Sequence, residues 1–239
     1  MMKQKNNRPM NFQDQLDLCE HENHKIVDSF DITTTDYEIK VDDGVKISGR
    51  LYVPGNQKNL PLIYHIHGGA FETGNVEMWD TIVRYFAQKP QCAIFSTNYR
   101  LTPEVTFPIP IEDCMAVYRW LRNNRESMGV SLNQIGFLGD SAGGNLVNAL
   151  VMYMIDNGEQ KLLPDKLFTL YYWLVFNGIT DSLKTNALKG CIGSDDFAMQ
   201  GFLAITDNAD AKKVFSPYIT QLSYDKYEQF LPAYISTAE

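Results

Sequence analysis

The stretch that decides the reading is QIGFLGDSAGGNLVNALVMYMI, residues 134–155. Its opening, QIGFLGD, is an apolar run of strand length. From Ala142 onward it reads as one uninterrupted helix. Between the two, GDSAG (139–143) fits the pattern G-x-S-x-G. Glycine and serine are common, so the pattern alone says little. Its setting says more: a strand runs in, a helix runs out, and the serine sits on the sharp turn between them. Such a turn forces Ser141 into a strained backbone conformation. Gly139 and Gly143 are small because strand and helix backbones pass close there, and Gly144 continues the small surface. Asp140 reads as a residue that holds the turn. The turn lifts the serine hydroxyl off the C-terminal edge of a sheet, where the helix N-terminus favours negative charge.

Working outward, PLIYHIH (61–67) is a short apolar run ending at Gly68 and Gly69, as a buried strand would. A helical stretch follows with Trp79, Ile82, Val83 and Phe86 on one face, stopped by Pro90. CAIFSTNY (92–99) is a second buried strand. Asp113 opens a helix with Val117, Trp120 and Leu121 inward. LFTLYYWLVF (167–176) reads as a further strand and PAYIST (232–237) as a last one. This alternation predicts an α/β fold with a mostly parallel sheet and helices on both faces. Before it, residues 37–53 carry strand, acidic-Gly turn and strand, a hairpin signal. Residues 1–30 are polar with scattered apolar positions, and 177–230 show no clear strand. The aromatic and Met residues of 76–89 and 167–176 read as core. Arg100 with Glu104, and Glu112 with Asp113, read as ion pairs and a helix cap.

A second glycine-rich turn, HGGA (67–70), follows the strand at 61–67. It can aim backbone N–H groups at the crevice that holds Ser141. Acyl transfer places negative charge on a former carbonyl oxygen, and donors aimed at that charge are worth about 3 kcal/mol each.

The bulk properties exclude other classes. The 239 residues fit one large α/β domain, and 44% apolar content is enough for a core. A net charge of −8 with scattered basic residues excludes an electrostatic footprint for nucleic acid. Cys19, Cys92, Cys114 and Cys191 are widely spaced, with no CxxC pair, and read as buried or free thiols rather than disulfides or a metal site. The N-terminus has no apolar core of a secretory signal, and no run reaches membrane-span length. A cytoplasmic protein is expected, with no cofactor and no metal.

Five segments fall in the order seen in the hormone-sensitive lipase family of α/β-hydrolases, which this chain resembles over residues 37–239. They are HGGA (67–70), NYRLTPE followed by FP and ED (98–113), GDSAGGNL (139–146), SP (216–217) and LPAYISTAE (231–239). The resemblance implies an α/β-hydrolase domain over 37–239 and an N-terminal cap segment over 1–36. It makes Ser141 the nucleophile. The oxyanion donors it implies are the amides of Gly68, Gly69 or Ala70, and Ala142, with His67 holding the loop. Ala70 stands where a third glycine is commoner, Thr102 where Ala is usual, and Val105-Thr106 where His-Pro is common. The substrate it implies is a small ester with a short or medium acyl chain, hydrolysed through an acyl-enzyme.

The same resemblance places the triad Asp and His after the LPxxxxTAE segment. This chain ends at Glu239, and all four of its histidines, His21, His24, His65 and His67, precede Ser141. The expectation is therefore a chain truncated before the last strand and helix, inactive or very weak, with PAYIST as an aggregation-prone edge. A receptor-like homologue that binds a small molecule without catalysis is the alternative. Oligomeric state is not legible.

Overall fold

A computed structural model describes residues 30–55, 57–172 and 196–237. Strand β1 (Ile32–Lys40) and strand β2 (Lys46–Pro54) form the expected hairpin, with Ile39 opposite Ile47. Its turn closes through Gly44, whose φ of 87° is the left-handed conformation that glycine adopts without steric cost. β2 lies antiparallel to β4 (Ala93–Thr97). From there every neighbour is parallel, through β3 (Leu60–Ile66), β5 (Val130–Asp140), β6 (Lys166–Leu170) and β7 (Ala233–Ser236). The sheet order is β1-β2-β4-β3-β5-β6-β7.

Strand periodicity sorts the core onto two faces. Tyr52 and Ile94 point to one side, where they pack with Val76, Val83 and Ala87 of helix α1 (Val76–Gln88). Their neighbours Leu51, Ala93 and Phe95 point to the other. There they join the larger cluster built with helix α2 (Ile109–Asn124) and helix α3 (Ala142–Asp156). Tyr64, Tyr118 and Phe137 meet inside that cluster with ring centroids 4.7–6.0 Å apart, all fully buried. Losing one such ring to alanine costs about 3–5 kcal/mol. Helices α4 (Asp196–Ile205) and α5 (Ala211–Val214) stand between β6 and β7 in sequence.

The α/β class, the mostly parallel sheet and the helices on both faces are as expected, and several details differ. β1 begins at Ile32 rather than Tyr37, so residues 32–36, assigned to the cap, are sheet. The rest of that cap, with His21, His24 and Cys19, lies outside the described residues, as does Cys191. α2 starts at Ile109 with Pro110 in its first turn, so Asp113 does not open it. Arg100 pairs with Asp113 (2.6 Å) and Asp43 (2.6 Å), not with Glu104. Asp113 is buried and so offers a far better partner than an exposed glutamate. Ile82 and Tyr85 are exposed, because the buried stripe of α1 runs through Val76, Val83 and Ala87. β6 stops at Leu170, where Tyr171 turns out with φ 40° and its ring is 56% exposed. Residues 173–176 of that expected strand are outside the description. β7 leaves Tyr234 and Ile235 more than half exposed. Cys92 and Cys114 are free and buried, and burial raises the Cys92 thiol to about 11. Among the described residues no helix is long and apolar enough to cross a membrane, and no cluster of three or more His, Cys, Asp or Glu could hold a metal ion.

Candidate active site

Because β3, β5 and β6 are neighbours and parallel, their C-terminal ends arrive side by side. Ile66 is level with Gly139, and Asp140 with Leu170. The turn after β3 and the turn after β5 therefore lie side by side at the strand ends, the position where open α/β sheets bind ligands.

Ser141 occupies the turn with φ 50° and ψ −120°. A non-glycine residue held there stores about 1–3 kcal/mol of strain. Close packing keeps it in place. A Cβ on Gly139 would overlap the Gly143 carbonyl, and one on Gly143 would overlap the Ile66 carbonyl. One on Gly144 would come within 2.5 Å of the Tyr172 Cβ. The Ser141 amide donates to the Leu170 carbonyl at 2.9 Å, which ties the elbow to β6. The side chain is partly exposed while Ala142, Gly143 and Gly144 beneath it are buried. Its hydroxyl has no hydrogen-bond partner among the described residues.

The loop at 67–74 faces it. A Cβ on Gly68 would stand 3.1 Å from the Ser141 Cβ, so the two segments are in van der Waals contact. Gly69 has φ 119°, and Ala70 and Phe71 follow at 54° and 66°. The Gly69 carbonyl accepts from the Glu72 amide (3.0 Å), the Thr73 amide (2.9 Å) and the Thr73 hydroxyl (3.1 Å), which closes the turn. The Gly68 amide donates to Asp140 Oδ1 at 3.2 Å. That bond engages the amide of Gly68, one of the expected donors. The amides of Gly69, Ala70 and Ala142 have no partner among the described residues. Ala142 opens α3, where no intrahelical acceptor exists.

His67 is fully buried. Its Nδ1 bonds the Gly68 carbonyl at 2.7 Å, and its ring stacks on Tyr99 at 4.5 Å. An Nδ1 that donates to a carbonyl leaves Nε2 as a bare, buried acceptor, and Nε2 has no partner. Burial pushes its pKa down to about 4, so the ring is neutral near pH 7. His65 is buried one turn of the pleat below, with Nδ1 2.8 Å from the Ser96 hydroxyl and Nε2 3.6 Å from Asp140 Oδ1. Both rings hold the frame, and neither is hydrogen-bonded to Ser141.

A family model described as alpha/beta hydrolase fold matches residues 63–239, nearly three quarters of the sequence. The chain belongs to that family. An arylesterase of Saccharolobus solfataricus is 38% identical over 124 residues, which take in 52% of this chain and 40% of that protein. The chain thus matches less than half the length of that curated relative. Among solved structures, the esterase of Pyrobaculum calidifontis superposes with a TM-score of 0.80 at 25% identity, covering 95% of this chain and 72% of that one. The carboxyl esterase 2 of Tuber melanosporum gives 0.80 at 26% identity, covering 88% and 69%.

This hydrolase-fold chain also holds its site with residues that the sequence patterns passed over. The Trp79 indole, placed in the core by its periodicity, donates to Asp140 Oδ1 at 3.1 Å. Tyr171, read as mid-strand, points its hydroxyl at Asp140 Oδ2 at 3.4 Å. Thr102 anchors the far side of the loop, with its amide (2.9 Å) and hydroxyl (3.2 Å) both donating to the Phe71 carbonyl. Its departure from the commoner Ala was the one available signal. A Cβ on Gly201 would overlap the Ala70 carbonyl, so α4 rests directly on the loop.

Proposed function

We propose that this chain is a serine carboxylic ester hydrolase of the hormone-sensitive lipase type, acting on esters with short or medium acyl chains. The observation that carries the reading is the conformation of Ser141, φ 50° and ψ −120° at a strand-to-helix turn, together with the amides of Gly69, Ala70 and Ala142, which have no partner among the described residues. Ser141 would attack the ester carbonyl, and those amides would take the charge that develops on its oxygen. The names of the relatives, arylesterase and esterase, support the same class of reaction.

We propose further that these 239 residues do not themselves carry the acid and base of the triad. His65 is engaged with Ser96, and His67 is buried, neutral and stacked. A serine without its base is a weak nucleophile, and loss of a triad member costs roughly 10⁴-fold or more. The alternative is a small-molecule-binding homologue without turnover.

Hydrolysis of p-nitrophenyl butyrate by the 239-residue chain and by Ser141→Ala, each with and without added imidazole, tests both parts. The expected result is no Ser141-dependent rate alone and a Ser141-dependent rate when imidazole supplies the base. Full Ser141-dependent turnover without imidazole would mean that His21 or His24 serves as base. No Ser141 dependence under either condition would overturn the hydrolase reading in favour of binding.

A further inference from the structure

The carboxylate of Asp140 is buried and gathers donors from three separate elements. The Gly68 amide reaches Oδ1 from the loop after β3 (3.2 Å), the Trp79 indole reaches Oδ1 from α1 (3.1 Å), and the Tyr171 hydroxyl reaches Oδ2 from the end of β6 (3.4 Å). His65 Nε2 stands 3.6 Å from Oδ1, with Nδ1 turned to Ser96. A buried carboxylate is stable only when hydrogen bonds replace its hydration, and bonds to an ionised acceptor are about twice as strong as neutral ones. Here the replacement has a geometric consequence. Asp140 precedes Ser141 in sequence and is fixed to the elbow by covalent bonds. Whatever its carboxylate grips is therefore placed relative to the serine hydroxyl.

We propose that Asp140 is the positioning residue of the oxyanion loop. By gripping the Gly68 amide it sets the loop's register against the elbow, and the next two amides, Gly69 and Ala70, are left to face the developing oxyanion. Trp79 and Tyr171 hold the carboxylate plane from either side, so that it cannot rotate away. This rests on the hydrolase reading for its purpose, while the grip itself is a statement about the loop.

The test is amide hydrogen exchange in the full 239-residue chain, read at residues 67–73 and, for reference, in β4 and α3. Asp140→Ala should speed exchange in the loop by at least ~10-fold with little change in the reference elements, as a local opening rather than global unfolding would. Equal acceleration everywhere, or a loop that does not change, overturns the proposal. If Asp140→Ala does not melt cooperatively, Asp140→Asn decides. It fits the same space but loses the charge, and the loop should still exchange several-fold faster. An unchanged loop in Asp140→Asn then overturns the proposal.

The kinetic arm uses the imidazole-supported, Ser141-dependent rate. Asp140→Ala should lower kcat by about 10²-fold, the scale of a lost oxyanion donor, with KM within about twofold, and Asp140→Asn should recover part of kcat. A loss confined to KM overturns the proposal. If the parent chain shows no Ser141-dependent turnover at all, the hydrolase reading falls, and the exchange measurement still decides whether Asp140 holds the loop.

Discussion

The elbow at 139–144 and the loop at 67–74 meet the same demand, a backbone that leaves a strand end and turns toward a shared crevice, by different physical means. The elbow is held by steric exclusion. Gly139, Gly143 and Gly144 each sit where a Cβ would strike a neighbour, and the tight fit forces Ser141 to φ 50°. The loop adds hydrogen bonds to a similar steric fit, since a Cβ on Gly69 would overlap the Thr73 carbonyl and one on Gly74 the Gly68 carbonyl. Gly69 closes on Glu72 and Thr73, Gly68 is gripped by Asp140, and Phe71 is anchored by Thr102. Steric fit is rigid and all-or-none. The loop's hydrogen bonds leave the amides of Gly69 and Ala70 without a partner among the described residues, which an anion site requires.

The largest effect expected from this contrast is at Gly143. A methyl there meets the Ile66 backbone, which cannot yield without parting α3 from β3. Gly143→Ala should cost at least about 3 kcal/mol in urea unfolding, or fail to fold. A loss under 1 kcal/mol would show the elbow to be adjustable after all.

Next in size is the pH response of the loop's buried histidine. His67 has its pKa lowered from 6.5 to about 4 by burial, so the unfolded chain takes up a proton before the folded one. Its contribution is present in full above pH 6.5 and is lost as pH falls toward 4. The loss amounts to roughly 3 kcal/mol as an upper bound. Urea unfolding across that range, compared with His67→Phe, isolates the contribution. Equal slopes in the two proteins would exclude it.

Ser141→Gly should act in the opposite direction. Glycine adopts φ 50° freely, so stability should rise by about 1 kcal/mol while any serine-dependent rate vanishes. Unchanged or lower stability would mean that the elbow stores no strain. The smallest effect is at Tyr171, a half-exposed ring whose hydroxyl is 3.4 Å from Asp140. Tyr171→Phe should cost no more than about 0.5–1 kcal/mol. A much larger loss in thermal melts would make this hydroxyl the main support of the carboxylate, ahead of Trp79.

This contrast also explains which parts of the molecule were legible beforehand. Steric exclusion leaves a mark in sequence, because glycine is the answer wherever backbones touch, and GDSAGG and HGGA both carry it. The buried strands β3 and β4 announced themselves as apolar runs, and the alternation of strands and helices implied the parallel order. Hydrogen-bonded support leaves no such mark. Trp79 looked like any aromatic on an apolar helix stripe, and its indole reaches Asp140 only because α1 packs on the sheet whose strand β5 ends at Asp140. Arg100 found Asp113 and Asp43 rather than nearby Glu104, because placement in the fold and not sequence distance decides ion-pair partners.

The amino-acid sequence by itself determined the α/β class, the strand-to-helix turn at Ser141 and the glycine-rich loop that would face it. These depend on local periodicity and on steric limits of single residues. Only the tertiary structure decided which amides of that loop lack a partner among the described residues, that the Gly68 amide bonds Asp140, and that His65 bonds Ser96 while His67 bonds the Gly68 carbonyl. Those outcomes depend on which donors and acceptors come within 3 Å of one another across the sheet. That is fixed by strand order and helix packing, which no short stretch of sequence encodes.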